Sequence, residues 1–265
     1  MHTIIDAHIH LDKYTQEERQ SILLEAKQQQ VAGMVAVSMD LDSCKTNQML
    51  ALQHGNVILP AYGFHPEQAL PADNVIADLF AWIRQNAADA VAIGEVGLPY
   101  YSALEAKRRG SRLEQAPYIE LLKHFIELAK ELDLPIVLHA VYEDAATACG
   151  LLEEAGYDKA HFHWYKGDPV TTERMARNGY YISFTPDIVY EEEIQTVVKQ
   201  YPLDQLMAET DGPWLFEGPF LGSVTRPEML HRSIPVFSKL TGLEEQVAYR
   251  LLFRNTNLFY RLNKL

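Results

Sequence analysis

The sequence predicts an α/β fold of the TIM type, a (β/α)8 barrel forming a single domain over residues 1–265, on three observations. Short β-rich runs alternate with longer amphipathic stretches from end to end, the pattern of repeated βα units around a parallel sheet. At 265 residues and 48% hydrophobic, the chain can bury one large core, a length that suits one barrel better than two ordinary domains. The turn after the first strand, where a doubly wound sheet needs a glycine-rich phosphate loop, carries Asp6, His8 and His10 instead.

Each strand is placed by a short apolar or β-branched run. Ile4-Ile5 puts the first at 3–7, Met34-Val35-Ala36-Val37 the second at 33–38, and Val57-Ile58-Leu59 the third at 57–62. Ala92-Ile93 marks 90–95 and Ile136-Val137-Leu138 marks 135–139; the last three strands are expected at 159–163, 180–184 and 205–209. Between them, 16–30, 43–54, 75–86, 117–132, 145–155, 170–178, 191–200 and 226–239 carry apolar residues at helical spacing. Segment 243–262 adds one or two helices packed on the outside of the barrel.

Composition narrows the function classes. Cys44 and Cys149 sit in expected helices with no pairing motif, and no charged-then-apolar leader follows Met1, so a reduced, cytoplasmic protein is expected. No apolar run approaches the ~20 residues that cross a bilayer. A formal net charge of -13 disfavours nonspecific adhesion to nucleic acid, so a polyanionic substrate must be held locally by metals and a few cations. The expected assembly is a monomer or weak dimer.

Chemistry in such a barrel belongs to the loops at the C-terminal ends of the strands. His8 and His10 leave strand one, and alternate residues of a strand share a face, so both imidazoles aim at one point, as ligands of a zinc-type ion do. His65 follows strand three, Glu95 ends strand four, His139 strand five, His163 strand six and Asp211 strand eight. Of ten histidines, only His2, His54, His124 and His231 lie clearly elsewhere. This donor set allows hydrolysis: Glu95 can bridge two cations, with His8, His10 and Asp211 completing one site and His139 and His163 the other. Asp211 is then placed to take a proton from water, although Asp211-Gly212-Pro213 also reads as turn chemistry.

These residues resemble the TatD-type metal-dependent hydrolases of the amidohydrolase superfamily. The matching stretches are Ile5-Asp6-Ala7-His8-Ile9-His10-Leu11-Asp12, Gly63-Phe64-His65-Pro66, Ala92-Ile93-Gly94-Glu95-Val96-Gly97-Leu98, Leu134-Pro135-Ile136-Val137-Leu138-His139, 163–167, and Glu209-Thr210-Asp211-Gly212-Pro213. Segments 222–228 and Arg254-Asn255-Thr256-Asn257-Leu258-Phe259 also match, so the likeness runs in order along essentially the whole chain. It implies two divalent metal ions (Zn2+, Mg2+ or Mn2+) held by His8, His10, Glu95, His139, His163 and Asp211. It also implies His65 near the scissile group, and deoxyribonuclease-type phosphodiester hydrolysis of DNA or short nucleotide substrates.

Three departures affect the substrate side. Pro99 stands where the family usually has Asp, Val141 where it usually has Arg, and Trp164-Tyr165-Lys166-Gly167 replaces Cys-Phe-Ser-Gly. Lys166 can restore a cation, as a point charge rather than a bidentate fork, or be a solvated loop lysine. Trp164, Tyr165, Tyr100 and Tyr101 fall on rim loops, where they can stack on a planar substrate or simply pack the loop. Arg108, Arg109 and Arg112, with Lys107, form the one basic run, either a solvated helical face or a phosphate-backbone contact. His161 is expected as a hydrogen-bonded core histidine. Hydrolysis of a small amide, lactone or phosphomonoester in the same site is the enzymatic alternative, and a noncatalytic metal-binding scaffold the other.

Overall fold

The computed structural model describes residues 2–262. Eight parallel strands run in chain order around the molecule: β1 (Ile4–Ile9), β2 (Val31–Ala36), β3 (Ile58–Tyr62), β4 (Ala92–Gly97), β5 (Ile136–His139), β6 (Ala160–Phe162), β7 (Tyr181–Phe184) and β8 (Leu206–Ala208). The segment after β8 returns to the end of β1. There Asp211 N–H donates to the His8 carbonyl at 2.9 Å and His10 N–H donates to the Gly212 carbonyl at 2.8 Å, closing the barrel at its C-terminal rim. The Asp6 carboxylate seals the same seam by accepting from Thr210 N–H at 2.9 Å and from the Thr210 hydroxyl. Burial of that carboxyl pushes it up to about 7, against the pull of the Thr210 and His8 hydrogen bonds.

The helices among the described residues are α1 (Gln16–Glu25), α2 (Leu41–His54), α3 (Asp73–Asn86), α4 (Tyr100–Arg108), α5 (Ala116–Leu132), α6 (Glu143–Ala155), α7 (Pro169–Arg177), α8 (Glu192–Gln200), α9 (Leu230–Thr241) and α10 (Glu245–Phe259). Local chemistry explains their ends. Thr15 and Glu18 form a capping box on α1, and Asp40 and Asp168 accept backbone N–H groups at the starts of α2 and α7. Three expectations shift. The first helix stops at Glu25 rather than residue 30, because Lys27-Gln28-Gln29-Gln30 offers no apolar side chain to dock on the sheet. The insertion after β4 folds a helix of its own, α4. The ninth begins at Leu230, since Pro227 confines the preceding residues to a 3-10 turn.

Two apolar layers result. Ile4, Met34, Tyr62, Ile93, Leu138 and Phe162 face the helices, while Ile5, Ala7, Val35, Leu59, Ala92, Val137 and Met207 fill the barrel. The C-terminal segment is one helix, and it does more than lie outside. Tyr260 and Leu262 pack into the inner layer, where small residues such as Ala7 and Ala61 leave room. No helix among the described residues is long and apolar enough to cross a membrane.

Candidate metal centre

Because parallel strands all end on one rim, the residues following β1, β3, β5, β6 and β8 meet around Glu95, which is completely buried on β4. Its two oxygens face different groups. Oε2 lies 3.1 Å from Nε2 of His8 and 3.1 Å from Nε2 of His10. Oε1 lies 2.8 Å from His139 Nδ1, 2.8 Å from His163 Nε2 and 3.3 Å from His65 Nε2. Gly97 makes this approach of β4 to β5 possible: a Cβ there would sit 2.0 Å from the His139 carbonyl oxygen. Asp211 reaches the first group from a left-handed backbone (φ 49°), a conformation that Asp tolerates better than most residues.

The residues fit a bound cation. The Nε2 atoms of His8 and His10 are 3.4 Å apart, and Asp211 Oδ1 is 3.4 Å from the first and 3.5 Å from the second. That near-equilateral triangle matches the edge of a tetrahedron with ~2.1 Å metal–ligand bonds, about 3.4 Å. Glu95 Oε2 is buried without a hydrogen-bond donor in the protein, a costly arrangement unless a cation takes the oxygen. A second lobe forms where His139 Nδ1 and His163 Nε2 stand 3.1 Å apart beside Glu95 Oε1. The donors are all imidazole nitrogens and carboxylate oxygens, suited to zinc- or manganese-type ions; Cys44 and Cys149 are buried and unpaired.

Electrostatics shows how the charges of the cluster balance one another. Burial alone would raise the Glu95 carboxyl, but the imidazoles of His163, His65 and His8 hold it well below the usual range. Burial would lower His10, yet the neighbouring carboxylates of Asp211 and Glu95 push it up to about 10, and Glu95 and Glu209 likewise raise His163 well above its ordinary value. Both carboxylate neighbourhoods thus favour the protonated imidazoles, whereas a cation needs them neutral. Zinc binding is expected to release protons near pH 7 and to tighten as pH rises; calorimetry in buffers of different ionisation enthalpy measures this, and a buffer-independent heat would contradict it.

His65 has a different role open to it. Glu67 N–H donates to its Nδ1 at 3.1 Å, so the neutral ring carries its proton on Nε2 and presents an N–H to the centre. Burial, against the pull of Glu95, lowers its pKa and keeps it neutral. His161 is a buried core histidine with Nδ1 2.6 Å from the Tyr260 hydroxyl and Nε2 2.6 Å from Ser183 Oγ. Ser183 donates in turn to Glu209, which also accepts Trp164 N–H at 2.7 Å and lies 3.4 Å from His163 Nδ1.

The substrate-side residues are dispersed. Tyr165 is 1% exposed with its hydroxyl 3.1 Å from Thr172 Oγ1, so packing has placed it in the core, out of reach of a substrate. Trp164 is half-buried and donates to Asp187 at 2.7 Å. Lys166 Nζ stands 3.6 Å from the same Asp187 oxygen and 5.0 Å from the Trp164 ring centroid, so its charge is already matched. Arg108 and Arg109 end α4, about 12 Å along the helix from Tyr100 at 1.5 Å per residue, and Arg112 follows in the next segment; all three are exposed, with Arg109 paired to Glu105. Pro99 opens α4, and Val141 is buried.

Three residues of the centre and its mouth were not singled out in the sequence. Glu209, fully buried at the end of an apolar strand, carried a usable signal in the cost of burying a carboxylate there. Glu67 carried none, since a glutamate after His65-Pro66 reads as any loop glutamate. Trp214 lies three residues past Asp211, 60% exposed, with its ring 5.7 Å from that of Trp164.

Known proteins place this arrangement. Residues 5–261 match the family model described as TatD related DNase. An uncharacterized metal-dependent hydrolase of Haemophilus influenzae is 38% identical over 259 residues, covering 98% of this chain and all of its own length. Human deoxyribonuclease TATDN3 is 28% identical, with 99% of this chain and 96% of that protein covered. The crystal structure of YjjV, a TatD homolog from Escherichia coli K12, superposes with a TM-score of 0.85 at 24% identity over 98% of this chain and 99% of its own. A barrel of this topology, gathering imidazoles and carboxylates at one rim, with a family match spanning almost every residue, makes the chain a member of the TatD family of metal-dependent hydrolases.

Proposed function

We propose that the protein is a deoxyribonuclease-type phosphoesterase that uses two divalent cations (Zn2+, Mg2+ or Mn2+). The observation that carries this reading is the division of Glu95, with Oε2 3.1 Å from Nε2 of His8 and of His10, and Oε1 2.8 Å from His139 Nδ1 and 2.8 Å from His163 Nε2. Bound there, two cations would lower the pKa of a water and neutralise charge on a phosphoryl oxygen. The chain does the rest. Burial would raise Asp211, but the hydrogen bonds of His10 and His8 hold it ionised, so it can accept a proton. The His65 Nε2–H donates toward the reacting group. Tyr101, 47% exposed with its ring 6.0 Å from that of His139, and the exposed indole of Trp214 offer planar surfaces for a base.

The substrate engaged is a short or terminal segment rather than a long duplex, because Val141 is apolar, Lys166 is paired and the arginine run stands away from the cluster. Metal analysis of the purified protein, with a turnover screen of oligonucleotides, bis(p-nitrophenyl) phosphate and small esters against a chelated control, tests the assignment. Turnover of none of them by the metal-loaded protein would leave the scaffold reading. Salt titration of oligonucleotide binding should give a shallow slope of a few counterions at ~0.7 per contact, and a triple Arg→Ala variant at 108, 109 and 112 measures that run's share. A second reading, hydrolysis of a small amide, lactone or phosphomonoester, is favoured by Val141 and by the Lys166–Asp187 pair, which together leave little to grip a polyanion.

A further inference from the structure

Glu67 joins three parts of the molecule that are distant in sequence. Its Oε1 accepts Tyr101 N–H at 2.7 Å and its Oε2 accepts Ser102 N–H at 2.7 Å. α4 opens on Pro99, which supplies no side-chain cap, so Glu67 satisfies the exposed N–H groups of the first turn from outside the helix. The same Oε1 lies 3.3 Å from His139 Nε2, while Nδ1 of that ring faces Glu95 Oε1 at 2.8 Å and His163 Nε2 at 3.1 Å.

A neutral imidazole has one N–H and one lone pair, so what Nε2 bonds to decides what Nδ1 can do. With Glu67 accepting the Nε2–H, the Nδ1 lone pair points into the second lobe. With the proton on Nδ1 instead, the ring would donate to Glu95 and offer that lobe nothing. We propose that Glu67 is a positioning residue: its carboxylate selects the His139 tautomer that presents Nδ1 to a cation beside His163. Through its hydrogen bonds to the first turn of α4, the same carboxylate ties that lobe to the segment carrying Tyr101. This rests on the two-lobe reading of the centre, and it makes the lobes unequal, since no contact of Glu67 reaches His8, His10 or Asp211.

The experiment is a zinc titration of the full chain against a competing chelator, resolving two dissociation constants, for the unsubstituted protein, Glu67→Ala and Glu67→Gln. Removing an outer carboxylate partner of a ligating histidine costs 10–100-fold in affinity. One of the two dissociation constants of Glu67→Ala should rise in that range while the other stays within about twofold. Glu67→Gln retains one acceptor for α4 and covers the case in which the alanine variant fails to fold; it should show the same asymmetry to a smaller degree. Long-range 1H–15N spectra of the zinc-loaded protein should place the His139 proton on Nε2, and the variants should weaken that preference. A general loosening would weaken both sites together. Equal weakening, or two unchanged constants in both variants, overturns the role of Glu67. Uptake of one zinc by the unsubstituted protein overturns the two-lobe reading itself.

Discussion

Asp211→Asn is expected to lower turnover of a phosphodiester probe by at least the ~10²-fold that loss of a general base costs, with the second lobe still loading metal. The asparagine keeps an oxygen that can ligate beside His8 and His10, whose Nε2 atoms lie 3.4 and 3.5 Å from Asp211 Oδ1. What it removes is basicity: an amide oxygen takes no proton near neutral pH. The second lobe has no contact with residue 211, because His139 and His163 meet Glu95 through Oε1. Steady-state turnover beside metal content per chain separates the two effects. Near-normal turnover would reduce Asp211 to a turn residue of the closing seam and shift proton transfer to His65.

Glu95→Ala is expected to have the larger effect on metal content. One carboxylate serves both groups of imidazoles, so its removal takes a ligand from each lobe and leaves buried rings 3.1–3.4 Å apart without the central charge that both groups share. The remaining imidazoles still offer lone pairs, but fewer donors and less negative charge hold each ion more weakly. Dialysed protein should retain less than half the metal of the unsubstituted chain at matched free concentration, and its Tm should no longer rise on zinc addition, since stabilisation by a ligand requires binding to the folded state. If stoichiometry stays at one ion per chain with and without Glu95, the bridging assignment is wrong.

The difference between these residues and the ones the sequence left unmarked is physical. His8, Glu95, His139, His163 and Asp211 were legible because each stands at the end of an apolar strand, and a parallel barrel delivers every strand end to the same rim. A polar group capping an apolar run is then a signal that needs no coordinates. Alternation was enough for His161 as well, which points into the barrel and bonds Tyr260 and Ser183 there.

Other features depended on partners far away in the chain. The fate of Tyr165 was set by a buried hydroxyl contact with Thr172, and that of Lys166 by Asp187, neither of which periodicity specifies. α4 was missed because its stability draws on the Glu67 carboxylate, 34 residues before the Tyr101 amide that it accepts. The sequence alone determined the strand count, the barrel class and the family, and it named the imidazoles and carboxylates gathered at the rim, since these follow from local pattern and from the rule that strand ends share a rim. Only tertiary structure decided that Glu95 splits its oxygens between two groups, that Tyr260 enters the barrel interior, and that Lys166 beside the Trp164 ring is paired with Asp187. Those facts are distances between side chains, and distance between chain-remote atoms is set by packing.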